Sequence, residues 1–169
     1  LEDEALLVVN KPSGMAVHGG SGISFGVIES MRAAHPGLRF LELVHRLDRD
    51  TSGLLMLAKK RSALTRLHAA LREGRVQKRY FALVKGKFGA SERNVELALR
   101  KYQTKTGERR VSVDRDGREA RTVFRREKAF RNFTLVSAEL HTGRTHQIRV
   151  HLTHLGYPIV GDDKYGDFE

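Results

Sequence analysis

His45-Arg46-Leu47-Asp48-Arg49-Asp50-Thr51-Ser52-Gly53 sets carboxylates, guanidinium groups and hydroxyls directly before an apolar run, Leu54 to Leu57. A strand about to bury itself rarely begins with so much polar chemistry unless that chemistry faces a cleft. In an extended segment Asp48 and Arg46 point to one side, and His45, Leu47 and Arg49 to the other. A carboxylate and a guanidinium on one face can engage a sugar or base together with its phosphate. The plainer alternative is an Asx-type turn, with Asp48 or Asp50 accepting from the Thr51 and Ser52 amides.

Two further constellations carry chemistry. Tyr80 lies in Lys78-Arg79-Tyr80 and shares a strand face with Lys78. An aromatic ring beside cations on a strand is how single-stranded RNA bases are often stacked; ordinary core packing explains the same spacing. Gly143-Arg144-Thr145-His146-Gln147-Ile148-Arg149-Val150-His151 is the third. An arginine in an apolar helical stretch needs an anionic partner if it is buried. Asp48 is the candidate partner of Arg149, and the pairing would keep Asp48 ionised. His151 and His154 have a usable metal-ligand spacing, but no Cys and no H-E-x-x-H pattern accompanies them. A metal site is therefore not expected from the spacing.

Several elements must position these groups. Ala5–Val9 reads as a short strand, followed by a turn over Asn10-Lys11-Pro12-Ser13-Gly14. His18-Gly19-Gly20-Ser21-Gly22 is a glycine-rich loop without the G-x-x-x-x-G-K-[ST] pattern, a weak phosphate signal. The spacing predicts a helix over Phe25–Ala34 and a central strand over Gly53–Ala58. A second helix is expected from a Ser62 cap to about Arg72, with Leu64, Leu67 and Leu71 on one face and Gly74 as its stop. Val76–Val84 alternates with period two, and Val95–Leu99 reads as a short strand. Val111–Val113 and Ala120–Arg126 are expected to pair as a hairpin around Asp116-Gly117. Phe133–Leu140 is a further strand. Thr145 is expected to cap a helix running to Leu155, with Ile148, Leu152 and Leu155 buried. Strands outnumber helices and connections are short. The expected class is therefore α+β, a large, mostly antiparallel sheet with flanking helices.

The chain of 169 residues fits one domain. Its net charge of +11 points to an anionic partner, with nucleic acid the first choice. Arg100 to Arg131 holds 12 Lys/Arg against 5 Asp/Glu, which makes it the most basic stretch. Cysteine is absent, so disulfides and thiolate metal sites are excluded, in keeping with a reducing cytoplasm. No apolar run approaches a membrane span, and the acidic start lacks a signal peptide's basic residues. It also lacks an initiator Met, so a processed or excised piece is expected.

With these residues in view, the chain resembles the RluA-type pseudouridine synthases, in the branch that acts on large-subunit ribosomal RNA. The resemblance runs in order through Val9–Gly14, His45–Gly53, Lys78-Arg79-Tyr80, Gly143–Leu152 and Gly161-Asp162-Asp163-Lys164-Tyr165-Gly166. It implies an isomerase that converts uridine in RNA to pseudouridine without cofactor or metal. It makes Asp48 the essential aspartate, Tyr80 the ring stacked on the target base, and Arg149 the ion-pair partner of Asp48. Ile148 or Val150 would wall the pocket, and Arg46 would help fill the gap left by the extruded nucleotide. A mixed, largely antiparallel sheet with the cleft across its middle is implied. An S4-like domain would precede this chain, and further strands would follow Glu169. A monomeric cytoplasmic enzyme is expected, with RNA as partner and neither DNA nor membrane. The rivals are a tRNA or dual-specificity synthase, a non-catalytic RNA-binding module, and a metal-dependent nuclease using His45, Asp48 and the later histidines.

Overall fold

Leu55 and Leu57 are completely buried. The strand that carries them, β3 (Gly53–Ala58), is the centre of an antiparallel sheet in the order β1-β3-β2. β1 (Leu6–Lys11) pairs along its whole length, from Leu6 opposite Ala58 to Lys11 opposite Gly53. β2 is only Glu42–Leu43. The computed structural model describes residues 1–20 and 25–166, in two compact units, Leu1–Val76 and Gln77–Glu169.

Two helices complete the first unit. α1 (Val27–Ala34) starts two residues later than the sequence suggests, because Gly26 is its N-cap. Gly26 is required by space: a Cβ there would lie 2.6 Å from the His18 main chain. The Glu29 carboxylate accepts the Gly26 and Gly19 amides at 2.9 and 3.1 Å. The Gly19 amide of the glycine-rich loop is thus occupied by a side chain of the protein. Ser21 and Gly22 of that loop lie outside the described residues. α2 (Arg61–Arg72) has Lys60 as N-cap with no side-chain hydrogen bond, so Ser62 does not cap it but sits inside its first turn. Leu64, Leu67 and Leu71 are half-buried on one face, and Gly74 takes the left-handed conformation (φ 69°) that ends the helix.

The second unit holds a four-stranded sheet, β4-β9-β8-β5, and a separate hairpin, β6-β7, all antiparallel. β4 (Lys78–Lys85) shows the expected alternation: Ala82 and Val84 are buried and Tyr80 half-buried, whereas Arg79, Phe81 and Leu83 face out. β9 (Phe133–Leu140) has the predicted bounds. The pairing of the middle strands differs from expectation. Val95–Leu99 is not one strand; it spans the end of β5 (Glu92–Glu96) and the start of β6 (Leu99–Gln103). β7 (Arg109–Val113) pairs with β6, and β8 (Arg121–Ala129) pairs with β5 and β9, so the predicted hairpin does not form. The cause is the Asp114–Gly117 turn, closed by the Gly117 amide on the Asp114 carbonyl at 2.9 Å. It sends the chain back along Leu99 rather than along β7, and Arg118 and Leu99 exchange hydrogen bonds of 2.8 and 2.9 Å.

α3 (Gln147–His154) joins the hairpin to the sheet. Leu152 enters the sheet core with Val84, Phe124, Val136 and Ala138, and Ile148 and Leu155 pack at its margin. Val150 enters a second cluster with Leu99, Val111 and Ala120 from the hairpin side. Burying this much apolar surface on two faces fixes the helix, at roughly 25 cal/mol per Å² removed from water. The architecture is α+β, as expected.

Candidate active site

In the first unit the loop carrying Asp48 is anchored from both sides. Leu47 is buried, and the Thr51 amide closes a turn on the Asp48 main-chain carbonyl at 3.1 Å. The His45 ring accepts the Met56 amide through Nε2 at 3.2 Å. Lys11 supplies the main anchor. It is only 1% exposed, and its ammonium donates to the carbonyls of Pro12, Met15 and Arg49 at 3.0, 2.7 and 2.8 Å. All three of its N–H donors are thereby used. Ser13 donates to the Asp50 carbonyl at 2.7 Å, and Arg49 Nε to the Gly14 carbonyl at 3.1 Å. The 12–15 turn and the 48–50 turn are therefore stapled together by one buried cation. Burial pushes the Lys11 ammonium below the usual lysine value, while the Asp50 and Asp48 charges pull it back. Asp48 is half-buried and Arg46 exposed.

Tyr80, Ile148 and Arg149 lie in the second unit. Tyr80 from β4 and Ile148 from α3 border the same apolar cluster. Arg149 leaves the helix toward the 161–166 segment, where Asp162 receives it in a two-pronged pair: Nε to Oδ2 and Nη2 to Oδ1, both 2.7 Å. The Arg149 side chain is 17% exposed and that of Asp162 4%. The guanidinium also lies 5.0 Å from the Tyr165 ring centre. Burial alone would raise the Asp162 carboxyl. The Arg149 hydrogen bonds and the Tyr165 and Lys164 amides, both at 2.9 Å, outweigh it and hold the group below the usual aspartate value.

The N-terminus of α3 is built differently from the expected Thr145 cap. His146 is the N-cap, in the left-handed conformation (φ 53°), with no side-chain hydrogen bond to the helix amides. Such a conformation costs about 1–2 kcal/mol for a residue with a Cβ. The compensation is local: His146 Nδ1 lies 2.7 Å from the Tyr165 hydroxyl, which also accepts the Val111 amide at 2.9 Å. Gln147, the first helical residue, ties the helix start to the segment before it and to β8. Its Oε1 accepts from the Arg144 amide at 3.0 Å and the Thr142 hydroxyl at 2.8 Å, and its Nε2 donates to Thr122 Oγ1 at 2.9 Å.

The histidine spacing that evokes a metal has a structural purpose. His151 is fully buried, with Nδ1 3.0 Å from the Thr122 hydroxyl and Nε2 2.9 Å from the Leu97 carbonyl. Only an Nε2–H can donate to that carbonyl, so Nδ1 accepts from Thr122 and both ring nitrogens are used. No cluster of metal-ligating side chains occurs among the described residues. Burial pushes the His151 imidazole down. Sequence reasoning gave no role to Lys11, which anchors the Asp48 turn in the first unit, or to Asp162, which holds Arg149 in the second. Both stand in segments that mark the family resemblance, but only the fold shows what each one holds.

The chain is similar to known proteins over nearly its whole length. The family model for RNA pseudouridylate synthases matches residues 5–154. Ribosomal large subunit pseudouridine synthase C of Pasteurella multocida (strain Pm70) is 58% identical over 166 residues, covering 98% of this chain and 51% of that protein. The Escherichia coli (strain K12) protein of the same name is 56% identical over 168 residues, covering 99% and 53%. The chain thus spans about half the length of the curated relatives it matches. Among solved structures, human RNA pseudouridylate synthase domain containing 1 superposes with a TM-score of 0.84 at 27% identity, covering 99% of this chain and 69% of that one. Human RNA pseudouridylate synthase domain containing 4 gives 0.82 at 27% identity, covering 100% and 69%.

Proposed function

The chain belongs to the RNA pseudouridylate synthase family, and from that membership we propose that it isomerises uridine to pseudouridine in large-subunit ribosomal RNA. The observation that carries this reading is the 56–58% identity to large-subunit synthases over nearly the whole chain. The sequence carries Asp48, Tyr80 and Arg149 within the motifs that resemble the family's, which supports the reading. Residues 1–169 would form the catalytic domain.

The target uridine must leave its helical stack to be reached. The N1–C1′ bond breaks, the uracil turns, and C5 bonds to C1′; C5 loses a proton and N1 gains one. The sum needs no oxidant, reductant or metal. Asp48, ionised, acts as a nucleophile on C1′ or as a base toward the ribose, and its charge opposes the positive charge that develops at C1′. Tyr80 stacks on the uracil face and so permits rotation in the ring plane. Arg149 is the cation assigned to Asp48, and its pairing with Asp162 supports that role by fixing the guanidinium before any substrate arrives. Ile148 lines the pocket beside Tyr80, and Arg46 fills the gap in the RNA stack. A monomer in the cytoplasm, acting on RNA, completes the reading. No helix among the described residues is long and apolar enough to cross a membrane.

The test is to map pseudouridines in large-subunit ribosomal RNA from cells lacking the full-length protein. Specific sites should revert to uridine and return with the wild-type gene, but not with Asp48→Asn. An unchanged ribosomal map with altered tRNA positions would move the substrate to tRNA.

A further inference from the structure

Five arginines of the second unit are neutralised locally. Arg79, Arg100, Arg110, Arg121 and Arg125 each face a carboxylate at 2.7–3.4 Å. Lys101, Arg118 and Arg144 pair with no carboxylate among the described residues, and all three open on one cleft of about 300 Å³. Its remaining lining among the described residues is Leu99, Val111, Gly143 and Thr145, with no acidic side chain. Like charges gathered around a cleft repel one another, which is tolerable when an anion completes the site.

The cleft is held by the elements already described. Leu99 and Val111 are buried members of the hairpin core, so the floor is apolar and fixed. Lys101 stands opposite Val111 in the β6-β7 register. Arg118 is placed by its main-chain exchange with Leu99. Arg144 donates its Nε to the Glu119 carbonyl at 2.9 Å and its amide to Gln147 at 3.0 Å. Its stem is thus tied to protein, while its guanidinium meets no carboxylate among the described residues. Lys78 borders the same place: a side chain at Gly143 would meet its Nζ at 3.6 Å. Burial pulls the Lys78 ammonium below its usual value, and no carboxylate among the described residues offsets it.

From this juxtaposition we propose that the Lys101–Arg118–Arg144 cleft binds the phosphodiester backbone of the RNA strand flanking the extruded uridine. Guanidinium forks match phosphate oxygens, and an apolar floor accepts the ribose between them. The strand's direction follows from β4, where Lys78 and Tyr80 share one face about 7 Å apart. A chain whose base stacks on Tyr80 passes Lys78 and enters the cleft. The inference rests on the proposed isomerase function and adds to it the site that grips the backbone.

The experiment compares two double variants of the full-length protein, each losing two positive charges. Lys101→Gln with Arg118→Gln alters the cleft; Lys105→Gln with Arg115→Gln alters exposed turns of the same basic stretch, outside it. The probe is unmodified large-subunit ribosomal RNA made by transcription, with Kd read across a salt series and pseudouridine formation read at saturating RNA. All four residues are exposed, and matched melting curves confirm that the variants fold. The cleft pair should flatten the plot of log Kd against log salt by about 1.4, and its deficit against wild type should shrink about sevenfold between 50 and 200 mM salt. The turn pair should leave the slope within error, and both should keep kcat within about twofold of wild type, the loss being one of uniform binding. An unchanged slope in the cleft pair, or an equal flattening in the turn pair, overturns the cleft. A wild-type protein that binds RNA with this pattern yet forms no pseudouridine overturns the isomerase reading instead, and with it the claim that the bound strand flanks a target uridine.

Discussion

Arg149 does not stand alone on α3: Asp162 grips two of its nitrogens, each at 2.7 Å, from a side chain only 4% exposed. A guanidinium fixed in this way presents its charge in one direction without reorganising when substrate binds.

Asp162→Asn should therefore lower kcat for pseudouridine formation by at least about tenfold, a loss of about 1.4 kcal/mol of transition-state stabilisation, with a smaller change in KM. It should also cost about 1.5–3 kcal/mol in urea unfolding, the range for hydrogen bonds to charged groups. Because the Asp162 carboxyl is held below its usual value, its contribution is present above the ordinary aspartate range and is lost as pH falls through the lowered pKa. Wild-type kcat in the variant would show that Arg149 needs no such support.

Lys11 ties the Asp48 turn to the turn after β1 through three carbonyls. Lys11→Met keeps the length of the side chain but leaves those carbonyls without a donor. It should destabilise the protein by about 1–3 kcal/mol and lower kcat more than KM, because Asp48 loses its register. Urea midpoints and steady-state kinetics on the same preparation read both effects. A variant with lowered stability and unchanged kcat would reduce Lys11 to a scaffold residue.

Asp48→Asn should abolish isomerisation while RNA affinity stays within a few-fold of wild type. Tyr80→Phe should keep part of the activity, since the stacking face is retained. Filter binding alongside a pseudouridine assay separates the two functions. Measurable turnover by Asp48→Asn would remove the carboxylate from the chemistry.

His151 is buried and neutral, bonded through both nitrogens. Its pKa is pushed down by burial, with the nearby His154 adding to the effect and the Leu97 carbonyl opposing it. The unfolded chain therefore binds a proton that the native state refuses. Stability contributed here is complete above the ordinary histidine value of about 6.5 and declines as pH falls below it, by up to about 1.4 kcal/mol per pH unit for one proton. His151→Gln, which can still accept from Thr122 and donate to Leu97, should flatten that dependence in urea unfolding measured from pH 7 to 5. An equally steep curve would assign the acid sensitivity to other groups.

How much of this was legible in the sequence depended on the range of the information. The bounds of β3 and β9, the alternation along β4 and the stop at Gly74 are properties of a few neighbouring residues, written in side-chain polarity and backbone preference. The family motifs likewise single out Asp48, Tyr80 and Arg149 as candidates. The same local patterns misassigned the caps at Ser62 and Thr145, because hydroxyls were read without the competing geometry of Lys60 and His146.

The sequence alone thus determined the α+β class, most strand positions and the strongly positive charge, and it supplied the candidate reactive groups. Tertiary structure decided that β7 pairs with β6 and not β8, that Asp162 receives Arg149, and that Lys11 staples the Asp48 turn. Local patterning records which way each side chain must face. It does not record which of several compatible partners it meets, because that choice is made by packing between segments distant in the chain, where burial leaves a charged or polar group only the partners the fold brings within reach.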